Sequence, residues 1–173
     1  VLEAFEVARR LWDGATVDHA GRFQATDVRL NYAVEGPIPV YVGGEGPHMC
    51  RMAGKRADGL LFNGSHPADL RWAREQFDIG RQDRDPDAGD SRLHAYASVS
   101  SDGDADAARA AARPPVAFIA AGAAPPVLER HGIDEDVASE IQAALASGEH
   151  AAAFERVTPR MLDAFAIAGE PAS

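Results

Sequence analysis

The chain has 173 residues, enough for one ordinary domain with a sizeable core, and 46% of them are hydrophobic against 25% charged. A formal net charge of −10 argues against a nucleic-acid partner, which needs a basic footprint, and no apolar run is long enough to span a bilayer. The single cysteine, Cys50, excludes a disulfide framework and a cysteine metal cluster, and it suits a reducing cytoplasm. Lys55 is the only lysine among many aspartates, a surface expected either of a halophilic, salt-adapted protein or of a composition biased towards Ala, Arg, Asp and Gly.

Residues 1–13 place Leu2, Phe5, Ala8, Leu11 and Trp12 on one helical face. The chain does not begin with methionine and its first residues read as the middle of a helix, so it is expected to start part-way through a longer protein. Thr16–Phe23 suits a short hairpin excursion, Val28–Val34 a weak strand or loop, and Gly36-Pro37 closes the first section.

Ile38–Val42 is a continuous apolar run, as expected of a strand covered on both faces. Gly43, Gly44 and Gly46 follow it, and Pro47 fits the first turn of a helix ending near Gly54–Arg56. Ala57–Asn63 predicts the next strand, Ala68–Gly80 a helix, and Leu93–Ser100 a third strand. Asp102–Asp106 caps a helix running to about Ala112. The remainder is Ala-rich and helical over Val116–Ala121, Pro126–His131, Asp134–Ala146, His150–Arg156 and Pro159–Ile167. Such alternation implies parallel strands, divided here into 1–36 (helix and excursion), 37–112 (β/α units) and 113–173 (helical region).

The glycines after Val42 admit two readings. Either they only make a tight strand-to-helix turn, or they bring backbone N–H groups and the positive end of a helix dipole to a ligand phosphate. Glu45 opposes the second reading unless its carboxylate points away. Arg51, Lys55 and Arg56 follow on the same helix and would offset cofactor charge if they faced the loop. Asn63, Gly64, Ser65 and His66 end the next strand on the same rim, where His66 is either a helix cap or a substrate contact. His94 reads as filler inside a strand, Gly59 as a site of close helix–strand packing, and Cys50 as core. His19, His131 and His150 have no acidic residue at metal-ligand spacing, so no metal site is expected.

The run PVYVGGEGPHMCRMAGKRADGLLFNGSHP resembles the luciferase-like, flavin- or deazaflavin-dependent oxidoreductases. Its Asn-Gly-Ser-His-Pro ending is similar to the coenzyme F420-dependent methylene-tetrahydromethanopterin reductases, as are AARPPVAFIAAGAAPPVLERHGID and VTPRMLDAFAIAGEP. The resemblance implies a partial (β/α)8 TIM barrel of α/β class, its three strands matching the fifth to seventh, with an Ala-rich helical insert and a stop before the eighth. It also implies hydride transfer between reduced F420 and a pterin-bound one-carbon unit. The cofactor phosphate would lie at Gly43, Gly44, Glu45, Gly46 and Pro47, with Asn63, Gly64 and Ser65 along its tail and His66 towards substrate. The alternatives are an FMN-dependent luciferase-like monooxygenase and a truncated, non-catalytic half-barrel. The expected partners are small molecules, with a homo-oligomer if the barrel is complete.

Overall fold

The computed structural model describes residues Leu2–Pro171, and the chain divides into one unit ending at Val40 and another beginning at Tyr41. In the first, helix α1 (Leu2–Trp12) accompanies an antiparallel hairpin of β1 (Val17–Ala20) and β2 (Gln24–Val28). The weak strand expected over Val28–Val34 forms only at its first residue. Glu3 ties helix to hairpin, accepting the Arg22 N–H at 2.9 Å and meeting His19 Nε2 at 3.2 Å. The bond from Arg22 leads in holding this carboxyl below its ordinary pKa, followed by His19.

The second unit alternates β3 (Tyr41–Gly43), α2 (Pro47–Arg56), β4 (Gly59–Asn63), α3 (Pro67–Gln82) and β5 (Arg92–Tyr96). Both helices begin with proline at their first position, where the missing N–H leaves no bond unmade. The three strands pair in parallel in chain order, with Gly43 opposite Leu61 and Leu61 opposite His94. Side chains alternate across a strand, so Val42, Leu60 and Phe62 are buried on one face while Tyr41, Leu61 and Tyr96 are exposed on the other. The apolar Ile38–Val42 run is thus covered on one face only, and its strand is confined to Tyr41–Gly43.

Two glycines set the closeness of α2 and α3. A Cβ on Gly54 would overlap the Phe77 carbonyl oxygen, and one on Gly80 would overlap the Arg51 carbonyl and lie 2.8 Å from its Cα. Below them Arg84 donates to four carbonyls, at Gly54 (3.3 Å), Ala57 (2.8 Å), Ala88 (2.8 Å) and Gly89 (2.8 Å), fastening the end of α2 to the loop before β5. Gly59 serves strand–strand rather than helix–strand packing, since a Cβ there would meet the Tyr41 ring at 2.5 Å and the Arg92 carbonyl at 2.7 Å.

The third predicted strand is broken at Ala97 into β5 and β6 (Ser98–Ser101). Helix α4 (Ala105–Gly122), capped by the Asp104 carboxylate, runs through Pro114-Pro115, joining two predicted helices into one. Pro114 and Pro115 forfeit two backbone donors. The helix is held by burial of Ala112, Val116, Ala117 and Ala120 against its neighbours. These are α5 (Pro125–His131), α6 (Glu135–Ala146), α7 (His150–Glu155) and α8 (Pro159–Phe165). Asp134 and Thr158 cap α6 and α8 with side-chain oxygens.

The end of the chain departs from expectation. Ala166 and Ile167 leave the helix and open β7 (Ala166–Gly169), which pairs in parallel with β6, Ser98 opposite Ala166. The sequence therefore reaches one strand further than its helical reading allowed. Alanine and isoleucine satisfy both a helix and a short strand, and the β6 edge decides between them.

Candidate functional site

The carboxyl ends of β3 and β4 turn into helices on the same rim. After β3 the Gly44 N–H extends the ladder to the Leu61 carbonyl at 3.4 Å. Gly46 is the N-cap of α2 and no side chain caps it; the Met49 and Cys50 N–H groups return to its carbonyl at 3.1 and 3.0 Å. Pro47 has no N–H, and the amides of Glu45, Gly46 and His48 donate to no backbone carbonyl among the described residues at the positive end of the helix.

The glycines differ in their reasons. A Cβ on Gly44 would strike Met49 Cβ at 2.6 Å, so this one is required by the turn itself. Added Cβ atoms on Gly43 and Gly46 would meet no protein atom within 4 Å. The tight-turn reading therefore holds at Gly44, while packing within the chain does not require glycine at Gly43 and Gly46. Gly43, Gly44 and Glu45 line a hollow of about 430 Å³ with Leu61, Asn63, Tyr96 and Gly122.

Glu45 is half-buried and hydrogen-bonded to the Asn63 side chain. Burial leads in raising its pKa, the Asn63 bond opposes this, and the Asp69 carboxylate adds to the rise. Ionisation is thus disfavoured at the rim, which weakens the objection to a carboxyl in a phosphate loop. With the folded pKa above the unfolded one, the folded state holds more protons between the two, and stability falls as pH rises through that window. Glu45→Gln should be more stable than the parent at neutral pH, with the difference vanishing well below the ordinary glutamate range. Urea titrations at several pH values would show this.

Arg51 and Lys55 do not face the loop. Arg51 donates to Gln76 Oε1 on α3 at 2.9 and 2.7 Å, and Lys55 meets Asp83, just past the end of α3, at 3.3 Å. Cys50 is buried, with burial foremost in pushing its thiol up to about 11, which makes it core rather than nucleophile. His94 is exposed and packs edge-on to Tyr41 at 5.0 Å.

Beyond Asn63, the Gly64 N–H folds back to the Phe62 carbonyl at 3.1 Å. The Ser65 hydroxyl is buried without a hydrogen-bond partner. His66 caps α3, its Nδ1 accepting the Ala68 N–H at 3.2 Å. One turn on, buried Asp69 binds Arg130 with one carboxylate oxygen and His131 Nε2 with the other, the latter at 2.7 Å. Arg130 lies over the Trp72 ring at 5.1 Å, and the His131 ring stands edge-on to His66 at 4.7 Å.

The acidic partners that sequence spacing did not offer His131 and His19 are supplied by the fold as Asp69 and Glu3. His66, Asp69 and His131 bring potential ligand atoms within 4.8 Å of one another. The Arg130 guanidinium already occupies the Asp69 carboxylate, supplying the positive charge a metal would bring. Sixty-one residues separate Asp69 from Arg130, and nothing local in the sequence signals the pair.

Parallel β/α units whose strand ends share one rim are the architecture of part of a (β/α)8 barrel. The luciferase-like monooxygenase family model matches residues 1–173, and the chain belongs to that family. It is 42% identical to the 5,10-methylenetetrahydromethanopterin reductase of Archaeoglobus fulgidus over 98% of its own length and 52% of the relative's. The solved coenzyme F420-dependent tetrahydromethanopterin reductase of Methanopyrus kandleri superposes with a TM-score of 0.82 at 34% identity, over 98% of this chain and 50% of that one. An F420-dependent glucose-6-phosphate dehydrogenase of Gordonia bronchialis is 41% identical across 69 residues, 39% of this chain and 20% of that protein. The chain spans about half the length of the reductases it matches. Among the described residues no helix is long and apolar enough to cross a membrane.

Proposed function

We propose that this chain is the part of an F420-dependent reductase that anchors the coenzyme, in an enzyme moving a hydride between reduced F420 and a pterin-bound one-carbon unit. The observation that carries the reading is the rim itself. Gly43 and Gly46 open onto free space, the Glu45, Gly46 and His48 amides at a helix start donate to no backbone carbonyl among the described residues, and the buried Ser65 hydroxyl lacks a protein partner. A phosphate with a hydroxylated tail fits that donor set, and the relatives' names agree on F420.

The bound deazaflavin would supply the hydride chemistry. Residues of this chain hold and orient. The Gly43–Pro47 turn receives the phosphate, and Asn63 and Ser65 hydrogen-bond the tail. Burial raises the Glu45 pKa and so disfavours a like charge beside the phosphate. Leu61 and Tyr96 line the hollow with apolar surface that a bound coenzyme would cover. One-carbon metabolism and a cytoplasmic setting follow from the reductase reading.

The test is a titration of the purified chain with F420, followed by the coenzyme's fluorescence. Saturable binding is expected, weakened about tenfold or more by Gly43→Asp, a loss of about 1.4 kcal/mol. Tight binding of FMN with no response to F420 would overturn the assignment, and so would an unaltered affinity in the Gly43→Asp chain.

A further inference from the structure

Resting on the assignment of this rim to the coenzyme, we propose that His66 is a binding residue held as the neutral Nε2–H tautomer. It offers a hydrogen-bond donor to an acceptor oxygen of the bound coenzyme or pterin, with Asp69 and His131 as the residues that position its ring.

The tautomer follows from the partners. Nδ1 of His66 accepts the Ala68 N–H, and an accepting ring nitrogen carries no proton, so in the neutral ring the proton sits on Nε2. A plain helix cap would be served by Ser, Thr, Asp or Asn, whose short oxygens are the favoured caps. Histidine caps with one nitrogen and carries a second donor, Nε2–H, further along its side chain than the hydroxyl or amide of those residues reaches.

The ring's orientation is also determined. His131 stands edge-on to it, at an interplanar angle of 81°, and is itself edge-on to Phe165 at 5.8 Å. His131 Nε2 faces a carboxylate that can only accept, so it too bears its proton on Nε2. Asp69 cannot swing away, because Arg130 holds its other oxygen and is in turn laid over Trp72. The helix carrying Arg130 and His131 belongs to the helical insert. The insert thus sets the geometry of a residue on the β4–α3 rim, next to Ser65.

Two-bond 1H–15N correlation spectra of the labelled chain at about pH 8, above the ordinary histidine pKa of roughly 6.5, read both tautomers directly. Both rings should be Nε2–H. Asp69→Asn should move the ring signals of His131 and, through the lost edge contact, those of His66. His131→Phe keeps an aromatic neighbour without the Asp69 link and gives the same readout if the asparagine chain does not fold.

In the binding arm, His66→Asn retains a capping oxygen but no donor at the Nε2 position, whereas His66→Gln restores an amide donor there. Loss of roughly three- to tenfold in affinity with Asn, and recovery to within about twofold with Gln, is the expected pattern. If the loss appears in F420 titrations the acceptor is on the coenzyme. If it appears only with methylene-tetrahydromethanopterin added to the F420-loaded chain, the acceptor is on the pterin. An Nδ1–H tautomer at His66, or full affinity for both ligands with Asn, overturns the proposal. Nε2–H rings in a chain that binds no F420 would overturn the coenzyme assignment and, with it, the donor role of His66, leaving only the tautomer.

Discussion

Gly80→Ala should lower the unfolding free energy by about 3 kcal/mol, the upper range for forcing an extra methyl into a close-packed contact. The added Cβ would occupy the space of the Arg51 backbone, which cannot rotate away as a side chain tip would. α2 and α3 would have to separate, and the buried Phe77, Ala73, Ala53 and Cys50 between them and the sheet would loosen together. Gly103→Ala is the control: its Cβ would meet nothing, and the change should stay within about 0.5 kcal/mol. Urea midpoints with unchanged m-values would establish the comparison. Because α2 begins at the Gly46 cap, the Gly80→Ala chain should also bind F420 more weakly than its residual stability alone would explain.

Asp69→Ala should be comparably severe. Removing one member of a buried pair leaves the other charge uncompensated, at about 3–5 kcal/mol in fully buried cases. Here the lower end is expected, since the Arg130 side chain keeps 24% of its surface exposed and regains some water. A double variant, Asp69→Ala with Arg130→Met, should recover much of the loss, since no guanidinium is then left unpaired. If the single and double variants were equally unstable, the pair would not be the source of the effect. Thermal unfolding at low and moderate salt would separate this pair from the surface bridges. Lys55–Asp83 and Arg156–Glu140 are exposed and should weaken with salt, while the Asp69 pair should not.

The β/α alternation was legible because its signals are local: prolines at helix starts, aspartates at caps, short apolar runs between turns. The glycine turn after Val42 was legible for the same reason. Elements whose identity depends on a distant partner were not. Ala166–Gly169 becomes a strand only because β6 offers an edge, and Ala97 breaks its strand where β5 faces β4 and β6 faces β7. α4 survives Pro114-Pro115 because its alanines are buried by helices far along the chain. At the site, Asn63, Ser65 and His66 could be named from their position at a strand end. Tyr96 could be placed only once the register set it opposite Asn63. Asp69 carries no local signal beyond that of a first-turn acid, and its importance depends on Arg130 and His131 arriving from α5.

The exposed sheet face gives the chain's acidity a physical task. Tyr41, Leu61 and Tyr96 on the three-stranded sheet, and Val99 and Ile167 on the separate β6–β7 pair, present water with apolar side chains. Such a surface invites association. A net charge of −10 makes each copy repel the next, and the repulsion acts over about 8 Å at physiological ionic strength but only about 3 Å in molar salt. While that face is bare, the aspartates act as a colloidal stabiliser, and a concentrated brine would remove the protection they give.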